Sequence, residues 1–225
     1  MARTKKTAEA EVAQVTETEQ VAENAAEEKP QFTFTAAPAE LQYDFKTRNK
    51  VAKFRKVSYE QWKKDMYNCG LYLPENEMQA AYDSIKLPKR ATTGSAGYDF
   101  YSPVPFSISN FNAGPRGFTF PTGIRCEMND AYCLLIIPRS GLGIRQYSRL
   151  GNTVACIDAD YYYSDNEGDI LINLRSDIPG NPPYHVHVGD AVCQGIFVQY
   201  GVTDDDDATE LTREQRRGGL GSTGK

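Results

Sequence analysis

From Ala91 onward the chain breaks into short apolar runs set between Gly, Pro, Asn and Asp, and this texture limits the fold more than any other feature. The runs are 97–100, 117–120, 123–128, 132–138, 152–157, 170–174, 185–188 and 192–200. Segments this short and this closely punctuated predict strands of a sandwich or barrel. No helix-length periodic run lies between them, so a parallel α/β sheet is not expected. The expectation is an all-β fold.

The preceding part reads differently. Residues 1–45 are rich in Ala, Glu, Thr and Gln and poor in large apolar side chains, which predicts a disordered tail. Residues 46–86 read as a strand and helix extension. The alternation over Val51–Val57 predicts a strand. Ser58 offers an N-cap with Gln61 as its capping-box partner, for a helix over Tyr59–Tyr67 that ends near Asn68-Cys69-Gly70. A second helix is expected over Glu75–Ile85. Residues 87–201 form the expected β-barrel core, and 202–225 an acidic linker and C-terminal arm.

A net charge of −5 gives no general attraction to nucleic acid or anionic membrane. No apolar run is long enough to span a bilayer, and the N-terminus lacks the apolar region of a signal peptide. The five cysteines, Cys69, Cys126, Cys133, Cys156 and Cys193, are odd in number, form no CxxC pair and sit among apolar neighbours. That pattern fits small hydrophobes in a reducing cytoplasm.

Several positions carry possible chemistry. Asp158 and Asp160 lie two apart in a strand-like run, which puts both side chains on one face. By spacing alone they read as a solvated turn pair. Asp158, however, directly follows the apolar run Val154–Ile157, where a carboxylate can serve as general base toward water. Arg139, Ser140 and Gly141 follow an apolar strand as a basic, hydroxyl-bearing turn of the kind that cradles phosphate oxygens. Gln194 sits in an apolar run and needs a polar partner. Asn152 offers a donor and an acceptor that match the edge of a pyrimidine. His185 and His187 share a strand face without a third ligand nearby, and 204–207 reads as a solvated acidic linker, so neither is taken as a metal site. Gly219–Lys225 follows Walker A spacing up to its lysine, but neither the Ser/Thr nor the helix that such a loop requires follows it here.

Five ordered segments carry a resemblance over residues 87–225: Ala96-Gly97-Tyr98-Asp99, Pro138–Gly143 (PRSGLG), Gly151–Tyr161 (GNTVACIDADY), Gly189–Ile196 (GDAVCQGI) and Gly218–Gly224 (GGLGSTG). In order and spacing they are similar to the five motifs of the trimeric dUTPase family. The resemblance implies a jelly-roll-like distorted β-barrel, a homotrimer with shared active sites, and Mg²⁺-dependent hydrolysis of dUTP to dUMP and diphosphate. It implies Asp158 as the base that activates water. Asn152 is to read uracil, and Tyr161 to pack under the deoxyribose and exclude a 2′-hydroxyl. Arg139, Ser140, Gly141 and Gln194 are to hold phosphates, and Asp99 to approach Mg²⁺ through water. In the arm, Gly221, Ser222 and Thr223 are to close over the γ-phosphate.

The chain departs from the family pattern in three places. Leu220 stands where the family usually has a uracil-stacking Phe. Gln215 stands at the usual phosphate-binding Arg, for which Arg216 or Arg217 can substitute, Arg217 being the one taken. The stretch Tyr162–Glu167 is longer than usual, as in a subgroup common in phages and related bacteria. Two rival readings exist. A dCTP deaminase on the same fold needs a glutamate in the strand after the third motif, and 169–174 has none. A dUTP-binding regulatory protein with weakened turnover would explain Leu220 and Gln215 but leave Asp158 idle.

Overall fold

In the computed structural model, residues 49–108, 117–176 and 183–206 are described. The tail 1–45 and the arm residues Gln215, Arg217, Leu220, Gly221, Ser222 and Thr223 lie outside them.

The first elements arise from local sequence rules. Strand β1 (Ala52–Lys56) alternates its exposure, with Lys53 and Arg55 outward. Helix α1 (Tyr59–Asn68) starts at Ser58, whose hydroxyl accepts the Gln61 N–H. It stops at Gly70, which takes a left-handed φ of 77° that its lack of a side chain permits. Helix α2 covers Glu75–Asp83, two residues short of the expected end, because the Ser84 hydroxyl turns back to the Ala81 carbonyl. The expected capping box is half present. The Gln61 side chain donates to Asp65 and does not accept the Ser58 N–H, which is donated to Glu167 of a distant loop.

The β part comprises β2 (Lys89–Arg90), β3 (Tyr98–Tyr101), β4 (Phe106–Ile108), β5 (Phe118–Pro121), β6 (Ile124–Met128), β7 (Tyr132–Pro138), β8 (Ser148–Leu150), β9 (Ala155–Ile157), β10 (Leu171–Ser176), β11 (Tyr184–Val186) and β12 (Ala191–Gln199). Among the described residues, every strand pairing is antiparallel. The strands form sheets in the orders β2-β3-β12-β7-β9, β5-β10-β8, β11-β4 and β1-β6. This is the all-β architecture expected from the punctuated runs. Strands β2, β4 and β8 were not anticipated. They have two or three residues each, too few for a period-2 signal, and are held by pairing to longer neighbours.

The extension belongs to the barrel core. Phe54 of β1 packs its ring among Tyr98, Phe100 and Phe197. Helix α1 buries Trp62 and Met66 completely, and α2 buries Met78, in one cluster with Phe120, Ile170 and Ile172. The Trp62 indole donates to the Pro121 carbonyl at 3.3 Å. Gly123 permits this approach: a side chain there would run into Ile85 and Trp62.

Candidate active site

Strand register brings three of the expected residues together. In the central strand β12, Gln194 faces Asp99 of β3 on one side and Ile137 of β7 on the other. Two residues beyond Ile137 the chain leaves β7 as Arg139, whose Nε lies 3.1 Å from Asp99 Oδ1. The Asp99 side chain is 13% exposed and that of Arg139 44%, so the pair has one sheltered and one open end. Gly97 makes room for Gln194, since a Cβ there would overlap the Gln194 side-chain oxygen. The AGYD, PRSGLG and GDAVCQGI segments thus converge at one end of the five-stranded sheet.

The turn after β7 is a single wide helical turn, Gly141–Arg145, led into by the Gly143 N–H on the Arg139 carbonyl at 3.0 Å and ended by the Gln146 N–H on the Leu142 carbonyl. Leu142 anchors it in the core while Ser140 and Gly141 face solvent. Nothing crowds Gly141, so its backbone is open to a ligand.

The third motif differs from its expectation. Asn152 is exposed, on a turn in which Thr153 holds φ = 67°. This conformation is strained for a β-branched residue. The strand covers only Ala155–Ile157, and Asp158 is the first residue outside it. Asp158 N-caps a 3₁₀ turn, Ala159–Tyr163, with its carbonyl accepting the Tyr161 N–H at 3.2 Å. Asp158 and Asp160 therefore do not share a strand face, because the period-2 rule ends where the strand ends. Asp158 is half-buried and Asp160 exposed.

Tyr161 is fixed from within its own chain. It is 5% exposed, its hydroxyl donates to the Asp169 carbonyl at 2.7 Å, and it accepts from the Asn166 side chain at 3.0 Å. Near Asp158 lie groups that the sequence did not single out. The Cys156 thiol is 3.6 Å from its Oδ1. Loss of water around the sulfur, then the charge of Asp158, push that thiol up to about 12, so it stays protonated. Tyr200 is the second: desolvation, then the charges of Asp158 and Asp130, raise its phenol. Cys156 is exposed and Cys69 partly so, which corrects the expectation that all five cysteines pack among apolar groups; all five are free.

Two halves of the expected site are far apart within one chain. Strand β9 runs along β7 with Ala155 opposite Ile136 and Ile157 opposite Leu134. This carries Asp158 toward the start of β7, whereas Arg139 follows its end. The seven residues of β7 separate them, about 20 Å at the rise of an extended strand.

A family model described as dUTPase matches residues 83–224. The chain belongs to the dUTPase family. A deoxyuridine 5′-triphosphate nucleotidohydrolase of Dictyoglomus turgidum is 36% identical over 141 residues, covering 62% of this chain and 91% of that protein. One from Lactococcus lactis is also 36% identical, over 62% of this chain and 89% of its own length. The crystal structure of dUTPase from Streptococcus mutans is similar at 27% identity, covering 67% of this chain and 98% of that one, with a TM-score of 0.48. The dUTPase match begins inside α2, so β1 and α1 precede it.

Proposed function

We infer that the chain hydrolyses dUTP to dUMP and diphosphate, with Asp158 as the general base. Membership of the dUTPase family carries the reaction, and the meeting of Asp99, Arg139 and Gln194 at one sheet end carries the phosphate site. Asp158 takes a proton from a water that attacks the α-phosphorus in line; the new P–O bond forms as the bond to the β-phosphate oxygen breaks. Arg139, Ser140, the open backbone at Gly141 and Gln194 hold the charge that develops on the departing diphosphate. Asn152 reads the uracil edge. Tyr161, already pinned through its hydroxyl, is a wall that leaves no space for a 2′-hydroxyl. The arm supplies Arg217, Leu220, Gly221, Ser222 and Thr223 over the base and the γ-phosphate.

Mg²⁺ fits this residue set. It keeps most of its water and leans on substrate phosphates, so it needs little from the protein. Among the described residues no group of three carboxylate, His or Cys side chains is placed to cage a metal. Asp99 would hold the hydrated ion, which supplies charge neutralisation on the triphosphate.

Each active site is shared in a homotrimer. The third motif comes from one subunit, Asp99, Arg139 and Gln194 from a second, and the arm from the third. The separation of Asp158 from Arg139 along β7 supports this division. The free cysteines suit a reducing cytoplasm.

Diphosphate release from dUTP, UTP, dTTP and dCTP, with and without Mg²⁺, tests the substrate and metal assignments. Asp158→Asn is expected to bind dUTP normally and to lose about 10²–10⁴-fold in turnover. Undiminished turnover in that variant removes Asp158 from its role.

A further inference from the structure

The loop that follows the third motif is held by helix α1. Glu167 and Gly168 are consecutive left-handed residues, with φ of 56° and 76°. Glycine takes this conformation freely, whereas for glutamate it costs about 1–2 kcal/mol, which a hold on its side chain offsets. Its carboxylate accepts two hydrogen bonds from Ser58: one from the backbone N–H at 2.8 Å and one from the hydroxyl at 2.7 Å. That hydroxyl also caps α1. Arg125 adds a second hold, donating to the Tyr162 carbonyl at 2.6 Å with its guanidinium 3.8 Å from the Tyr162 ring centre.

The hold reaches the site residues directly. Gly168 lies against the 3₁₀ turn so closely that a Cβ would stand 2.9 Å from the Tyr161 carbonyl oxygen. Asn166 and the Asp169 carbonyl flank Glu167 and Gly168, and both bind the Tyr161 hydroxyl. Asp158 begins the same turn. Helix α1 lies outside the dUTPase match, so this support comes from a part of the chain that the family model does not cover.

We propose that Glu167 is a positioning residue: clasped by Ser58 at the start of α1, it fixes the turn that carries Asp158 and Tyr161, and so makes the N-terminal extension part of the enzyme's rate and sugar discrimination. This rests on the roles given above to Asp158 and Tyr161. Releasing the clasp lets the turn shift by a fraction of an ångström, enough to misalign the water and open space beside the sugar.

The test uses the full chain, with kcat and KM measured for dUTP and UTP. Glu167→Ala is expected to lower kcat for dUTP about tenfold and to narrow the preference for dUTP over UTP, while the thermal midpoint moves little. Ser58→Ala removes the hydroxyl half of the clasp and, with it, the cap of α1; it shifts both quantities the same way but by less, and lowers the midpoint modestly on its own account. The double variant is no worse than Glu167→Ala in either quantity, because both remove one link. Glu167→Gln keeps an acceptor for the Ser58 N–H and recovers most of the loss. A purely structural role would lower the midpoint and leave the kcat to KM split and the sugar preference untouched, and that result overturns the proposal. Additive losses in the double variant do so as well. Asp158→Asn in parallel separates the two readings: if it is inactive while Glu167→Ala matches wild type, the clasp fails and the catalytic assignment stands. If Asp158→Asn turns over normally, the catalytic assignment itself is wrong, and the clasp proposal falls with it.

Discussion

Two buried carboxyl groups face each other where α1 meets the barrel. Asp169 is fully buried, with one oxygen accepting the Gly123 N–H and the other without a hydrogen-bond partner, and it lies within the field of Asp65 of α1. Burial, then the charge of Asp65, hold Asp169 well above the ordinary carboxylate range; burial also raises Asp65. The folded protein therefore keeps protons that the unfolded chain gives up near pH 4. Stability from this source is complete below that pH and declines as pH rises toward the folded values. Asp65→Asn removes one of the two acids. It is expected to raise the thermal midpoint at pH 8 by roughly 2–4 °C, and the gain should shrink toward pH 4. A gain equal at both pH values would assign it to something other than this pair. Neither acid looked special in the sequence: Asp65 read as one polar position on a helix, and Asp169 as the start of a strand. Their meeting depends on a contact between residues about a hundred positions apart. The same holds for Glu167 and Ser58, 109 positions apart; Asp99 and Arg139 each stand in a local motif, and only their pairing was hidden. Residues that owe their role to a local motif were legible; those that owe it to a distant partner were not.

At the scale of elements, the extension is anchored by one side chain above the rest. Trp62 is fully buried against Gly123, and its indole N–H is satisfied by Pro121. Trp62→Ala removes that wedge and should cost about 3–5 kcal/mol, read as a fall in the urea midpoint. A loss below 1 kcal/mol would mean that α1 is not part of the core. Helix α1 was readable from its cap and stop signal, and strands such as β7 and β12 from apolar runs set between turn residues. The helical turns at 141–145 and 159–163 were not. Each is one turn long, too short for periodicity, and forms where a strand runs out and a buried anchor, Leu142 or Tyr161, pulls the chain inward. The consequence is greatest at Asp158, which begins the turn and does not continue the strand before it.

The whole molecule raises the question of how far one chain can go alone. If the site is divided between subunits, two inactive proteins should rescue each other. Asp158→Asn and Arg139→Ala chains, unfolded together and refolded as mixed trimers, are expected to regain about a quarter of wild-type activity, since half the chains carry each intact group. A mixture as inactive as its parents would place Asp158 and Arg139 in the same chain's site. The clasp between Ser58 and Glu167 bears on inheritance. A lineage that shed its first eighty residues would leave the glutamate in a disfavoured backbone with nothing to grip. Such a lineage would have to shorten that loop in the same step, so the head of the chain and the insert after the third motif should be gained or lost together.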